Sequence, residues 1–356
     1  MWRRLALILA GTLVALLIAE LALRAVDTVP EVANPLYSFH ASDPVLGWRG
    51  KPDVCMRFRR PDFDALVAHG PDGWRVPDPP PPPDPSRRVL FLGDSFTWGW
   101  GVAQGEVFTD QLQRRVGSSV AVINRGVNAF GTAQEYLLMQ RELAATHYDA
   151  VAVMFFHNDL TDDVDSSAGR RPLFELEGTA LVPRNQPPLP LMNPVERLLK
   201  EHSRTFGLMA FELASAKHSA EDGASKSVLR EGDDDMDYHI LPGAAVTMRL
   251  LAEMHRLAAD HGAEFVLVYL PQRSEIERLP SRYPYIRAVH AMVRDVAARE
   301  GIPLVDLSPA FNAAAQRGRA LVYARDDHWT PAGHELAADV LLTSPLFAPG
   351  TTAQAQ

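Results

Sequence analysis

Cysteine is almost missing from this chain: Cys55 stands alone among 356 residues. No intrachain disulfide and no multi-cysteine zinc site can be built from it, and one cysteine leaves the redox compartment open. A surplus of basic charge is missing too. Asp and Glu (44) outnumber Lys and Arg (35), for a formal net charge of -9. That balance excludes a general nucleic-acid binder, which needs a basic face to neutralise phosphates. Internal repeats are absent, and beyond the last loop the His and Asp residues do not cluster as metal ligands, so neither a catalytic metal nor a cofactor is expected. What remains, 47% hydrophobic and 22% charged residues, is enough for the core of one large domain or two modest ones.

Long apolar runs are confined to the N-terminus. Arg3 and Arg4 precede Leu5 to Leu23, whose single charge is Glu20. About 20 apolar residues cross a bilayer, so this run spans one with Glu20 at the interface. A cleaved signal peptide wants small residues at both recognition positions. A cut after Ala22 puts Glu20 in the first of these, and a cut after Ala25 puts Leu23 there. Residues 1–27 are therefore read as a single-pass signal anchor with the rest of the chain outside the cytoplasm, and cleaved secretion is the alternative. Residues 28–86 read as an irregular segment ending in Pro77-Asp78-Pro79-Pro80-Pro81-Pro82-Pro83-Asp84-Pro85. Such a run is locked toward polyproline II and is read as a stiff spacer.

From Arg87 onward strands and helices alternate. Val89 to Leu92, Ser119 to Asn124, Ala150 to Phe156, Phe265 to Leu270 and Pro303 to Asp306 read as buried strands. Gln134 to Thr146, Pro242 to His261 and Tyr285 to Glu300 have helical spacing, the last two closed by Gly262 and Gly301. The pattern predicts an α/β fold, a three-layer α/β/α sandwich over 87–348 around a mostly parallel five-stranded sheet, with 349–356 as a disordered tail. Residues 160–241 break the rhythm. They hold a hairpin from Leu173 to Val182 turning at Gly178, a helix near Pro194 to Leu213, and the acidic run Asp233-Asp234-Asp235, read as a solvated loop. This insertion is expected to lean over the active edge.

The strand ending in Gly93-Asp94-Ser95-Phe96 puts Ser95 where an open α/β sheet binds ligands, at a carboxyl strand end. Near the C-terminus, Thr330 and Pro331 are a good N-cap and first-turn pair, which leaves His328 in the loop feeding that helix, just after Asp326 and Asp327. A nucleophilic serine needs a base, and the base needs a carboxylate to hold its tautomer. Ser95, His328 and Asp326 meet that need, with Asp327 open as the orienting acid. Asn124 to Thr132 is a turn-rich loop whose backbone N–H groups can approach a ligand. Asn158, after the third strand, can donate to a developing oxyanion. Alone, each of these is a turn or cap residue; four such loops on one sheet carry more weight. His157 and His334 read as structural.

Gly93-Asp94-Ser95-Phe96, the Asn124 to Gly131 loop, His157-Asn158-Asp159 and Asp326-x-His328-Trp329 resemble, in order, the four blocks of the SGNH, or GDSL, hydrolases over about Arg87 to Leu342. The anchor, the Gly47-Trp48 segment and the Gly-Asp-Ser-Phe block are together similar to membrane-tethered bacterial members. The resemblance implies a flavodoxin-like fold, Ser95 as nucleophile, His328 as base and Asp326 as its partner. It implies an oxyanion hole built from the Ser95 and Ala129 N–H groups and the Asn158 side chain. Three departures stand out. Ala129 and Phe156 each replace a usual Gly, and the Asp-x-His spacing is one residue short, with Arg325 at the usual acid position. The expected activity is hydrolysis of O-acetyl or other short acyl esters through an acyl-enzyme, on a small molecule, glycan or lipid, at the inner membrane. Acyl transfer to an extracytoplasmic glycan and a silent glycan-binding scaffold are the alternatives.

Overall fold

The computed structural model describes residues 2–26, 35–165, 169–190, 237–277 and 283–347, with isolated positions between 191 and 236. The apolar run forms one helix, Trp2–Val26. By length and composition it suits a membrane span or a signal sequence, and near its end Glu20 accepts from the Ser203 hydroxyl and from the Thr205 N–H and hydroxyl, each at 3.0 Å. Glu20 pairs with Arg24 one turn on, at 2.8 Å.

The segment expected to be irregular is folded from residue 35 onward. A short helix, Pro35–Phe39, leads into β1 (His40–Asp43), which pairs antiparallel with β2 (Gly47–Gly50). A second hairpin joins β3 (Cys55–Arg60) to β4 (Phe63–Ala68). These strands are short and laced with arginine, which hides their alternation in the sequence. In β4, however, Phe63, Ala65 and Val67 all point inward. They join Phe39, Phe58 and Trp98 in a core of their own. Nor does the proline run stand free, because the Asp78 carbonyl accepts from Arg114 (2.8 Å) on the helix Phe108–Val116.

The central sheet is as predicted. Its strands are β5 (Arg87–Gly93), β6 (Val120–Asn124), β7 (Ala150–Phe155), β10 (Glu264–Tyr269) and β11 (Leu304–Asp306). The hairpin β8 (Leu173–Glu177) and β9 (Ala180–Arg184) interrupts the series. The order across the sheet is β6-β5-β7-β10-β11, parallel throughout. Side chains alternate between two cores. Leu90 and Leu92 face the helices Thr132–Ala145, Ala244–Asp260 and Tyr283–Glu300, whereas Val89 and Phe91 face Phe108–Val116, Ser308–Gln316 and Pro331–Leu342. The connections reverse direction between β5 and β7, which opens a crevice at their carboxyl ends.

The hairpin in the insertion turns at Gly178, and Phe174 packs on Tyr136 and Leu250. The helix read over Pro194 to Leu213 lies almost wholly outside the described residues, and the Asp233–Asp235 run wholly so.

Candidate active site

Ser95 opens a single helical turn, Ser95–Trp98, directly after β5, and Asp94 caps it by accepting from Phe96 N–H (2.9 Å). Close packing sets this turn. A Cβ on Gly93 would stand 2.1 Å from Thr97 Oγ1, and one on Gly126 only 2.3 Å from the Trp98 nitrogen. The loop after β6 therefore lies flat against the back of the turn. Asn124 fastens it, donating through Nδ2 to the Thr97 carbonyl at 2.6 Å. From the N-terminal segment, buried Arg75 donates to the carbonyls of Trp98 (3.1 Å) and Gly99 (2.5 Å).

The loop before Pro331 brings His328 to Ser95, with Nε2 2.7 Å from the Ser95 Oγ. His328 Nδ1 lies 2.5 Å from Asp326 Oδ1, which also accepts the His328 backbone N–H (2.9 Å). An ionised Asp326 accepts a hydrogen bond from Nδ1–H, which fixes the tautomer and leaves the Nε2 lone pair facing the hydroxyl. Burial alone would push Asp326 up. Donation from the His328 ring and backbone and from Trp100 outweighs it and holds the acid at about 2. Side-chain exposures of 21% for His328 and 22% for Asp326 leave the pair open to a substrate. Asp327 does not reach the imidazole; it bonds Arg273 at 2.8 Å. Arg273 also donates to the carbonyls of Asp326 (2.8 Å) and Tyr323, so the loop is clamped from the end of β10.

Ala129 has φ +60°. The left-handed region costs a non-glycine residue roughly 1–2 kcal/mol, which gives a backbone reason for the usual glycine here. Phe156 is buried with its ring 4.4 Å from that of Phe96, so it belongs to the core. The Asn158 amide donates to Asp162 Oδ2 (3.0 Å), which engages one amide hydrogen. His334 is buried and its Nδ1 accepts the Phe108 N–H (3.3 Å); burial lowers it to about 3, so it stays neutral. His157 packs on Phe156 and Tyr285.

Trp100 carries no sequence signal, yet it touches both members of the Asp326–His328 pair. Its indole stacks on the imidazole, 4.8 Å between centroids at 17°, and its Nε1 donates to Asp326 Oδ2 at 2.9 Å. Phe58 from β3 meets it edge-on at 4.8 Å. Behind Ser95 sit buried carboxyls. Burial raises Asp94 to about 6 and Asp163 to about 7, and burial with mutual repulsion pushes Glu135 and Asp159 well above the carboxylate range. Among the described residues, no group of three or more His, Cys, Asp or Glu is arranged to hold a metal.

An alignment of 103 positions with the alginate biosynthesis protein AlgX of Pseudomonas putida is 33% identical and covers 26% of this chain and only 21% of that relative. Similar solved structures include a lipolytic G-D-S-L protein from Veillonella parvula, at 13% identity and TM-score 0.42, with 72% of this chain and 96% of that one covered. An acetyl xylan esterase from Geobacillus stearothermophilus aligns at 14% identity and TM-score 0.43, over 73% of this chain and 94% of that one. Residues 91–336 match the GDSL-like lipase/acylhydrolase family, and the chain belongs to that family of ester-hydrolysing enzymes.

Proposed function

We propose that the enzyme moves a short acyl group, most simply acetyl, from an ester through an acyl-enzyme on Ser95, with a cell-envelope glycan as its substrate class. The observation that carries the chemistry is the unbroken relay of Ser95 Oγ, His328 and Asp326, at 2.7 and 2.5 Å. In this reading Nε2 of His328 takes the hydroxyl proton as Oγ attacks the acyl carbonyl carbon. The Ser95 and Ala129 N–H groups and the Asn158 side-chain amide donate to the oxyanion. The tetrahedral adduct collapses, the ester C–O bond breaks, and His328 returns the proton to the departing alkoxide. Water, activated by the same imidazole, then releases the acid and restores Ser95.

A second reading replaces that water with a sugar hydroxyl, which makes the enzyme an O-acyltransferase. The AlgX match favours it, because that relative is named for building a polysaccharide. The helix Trp2–Val26 supports a place at the inner membrane, with the catalytic domain outside the cytoplasm.

Full-length protein treated with a fluorophosphonate tests the nucleophile. A mass increase on the Ser95 peptide is expected, and its loss in Ser95→Ala. Labelling of another serine, or of none, sinks the assignment. Supplying an acetyl ester with and without an oligosaccharide acceptor then separates the readings, since hydrolysis yields acetate and transfer yields acetylated glycan.

A further inference from the structure

Arg171 lies at the start of the insertion, just ahead of β8, yet it is turned into the protein and is only 5% exposed. Its Nη1 stands 2.5 Å from Asp162 Oδ1, and its Nη2 donates to the Ala129 carbonyl at 2.9 Å. The other oxygen of that carboxylate accepts the Asn158 amide. One guanidinium thus grips the backbone of the loop after β6 and, through a single acid, the side chain that follows β7. Beneath it lies the Trp48 indole, 5.4 Å from the guanidinium carbon. That indole donates to the Asn128 carbonyl at 2.9 Å. The Asn128 carbonyl shares its peptide plane with the Ala129 N–H. The peptides on both sides of Ala129 are therefore held, one by Trp48 and the next by Arg171.

We propose that Arg171, stacked on Trp48, is a positioning residue that aims the oxyanion donors before substrate arrives. This rests on the roles proposed above for Ala129 and Asn158. Arg171 touches no reacting atom and acts through its neighbours. Donors stabilise a developing oxyanion only when their direction is set in advance, and here two of them need holding. Ala129 sits in a strained left-handed conformation, from which an unheld peptide would relax. The Asn158 amide can turn end for end, and its bond to Asp162 selects the orientation with Nδ2 as the donor on that side. A planar fork serves two acceptors in fixed directions, which the ammonium of lysine does not. The insertion thereby gains a structural part in the reaction besides any contact with substrate.

The test uses full-length protein with p-nitrophenyl acetate and, as an oxyanion probe, phenylboronic acid, which forms a tetrahedral adduct on an active serine. Arg171→Met is expected to lower kcat roughly 100-fold, in the range for a lost oxyanion donor. KM should stay within twofold, and boronate affinity should fall with kcat. Arg171→Lys should recover a minor part. Because Arg171→Met leaves the Asp162 charge unpaired, the double variant R171M/D162N is made beside it. Trp48→Phe, which keeps the ring and removes the N–H, reports on the Asn128 peptide without disturbing charge. It is expected to lower kcat about tenfold, as for one lost hydrogen bond. Folded R171M/D162N with kcat within twofold of wild type overturns the proposal. So does a rise in KM at constant kcat, which would make Arg171 a substrate contact. If neither Arg171 variant folds, unchanged kcat in Trp48→Phe overturns it. Wild-type turnover that survives Ser95→Ala overturns the underlying reading of the site instead.

Discussion

Trp100 is where the structure makes its sharpest demand on kinetics. Its indole N–H satisfies the Asp326 oxygen that His328 does not use, and its face lies flat on the imidazole. A hydrogen bond to an ionised group contributes roughly 1.5–3 kcal/mol. Asp326 keeps its bond from the His328 backbone N–H, so about half of that loss should reach the transition state. Trp100→Phe, which keeps an aromatic face and removes the donor, is thus expected to lower kcat/KM by roughly 3–15-fold. Trp100→Ala also removes the stacked ring, whose attraction for a cation is about 0.5–2 kcal/mol. In the proposed mechanism that attraction is differential, because there the transition state places positive charge on the imidazole. The combined loss is roughly 10–300-fold in kcat/KM. Initial rates with p-nitrophenyl acetate, normalised to active sites counted by fluorophosphonate labelling, measure both. A cycle with Asp326→Asn isolates the shared pathway, since the donor at residue 100 matters far less once its acceptor is neutral. Near-wild-type rates in both Trp100 variants, or strict additivity with Asp326→Asn, would refute the reasoning.

Three further outcomes follow from the same geometry. Asp326→Asn should cost about 10³–10⁴-fold in kcat, whereas Asp327→Asn should lose less than tenfold, because Asp327 serves Arg273; equal losses in a rate assay would contradict the pairing. Ala129→Gly should stabilise the fold by about 1 kcal/mol by relieving a left-handed alanine, and an unchanged or lower denaturation midpoint would count against that strain. Asp94, Asp163, Glu135 and Asp159 bind protons in the folded state where the unfolded chain has lost them. Their contribution to stability is therefore fully present below about pH 4 and is lost as pH rises through about 6 to 7 and beyond. Buried neutral His334, lowered to about 3, acts in the opposite direction below about pH 6.5. Glu135→Gln should raise Tm relative to wild type, and by more at pH 8 than at pH 5; a Tm difference that does not grow with pH in thermal melts would rule this out.

The sheet is legible because a parallel strand covered on both faces must be an unbroken apolar run, as Ala150–Phe155 is, and because Gly262 and Gly301 stop the helices before β10 and β11. The helices Phe108–Val116 and Ser308–Gln316 escape that reading. The first anchors itself through Phe108 and Leu112 within a polar stretch, and the second is largely alanine. Ser95, Asp326 and His328, which the fold brings into one hydrogen-bonded chain, are readable because a proton relay of the kind proposed demands particular side chains at particular strand ends. Trp100 and Arg171 are not, since a stacking face and a buried fork become meaningful only when distant loops are folded together. The hairpin of β3 and β4 stays hidden for a related reason: its apolar residues find a core only against Trp98 and its neighbours.

That packing shortens the leash. Had the proline run been the spacer, the domain would trail some sixty residues of chain behind Val26, a reach on the order of 200 Å at full stretch. With folding resumed at Pro35, only the 27–34 stretch separates it from the apolar helix, and no extended backbone of that length exceeds about 30 Å. If that helix is embedded, the serine can patrol only a thin shell above the lipid headgroups, and any polymer it modifies must pass through that shell.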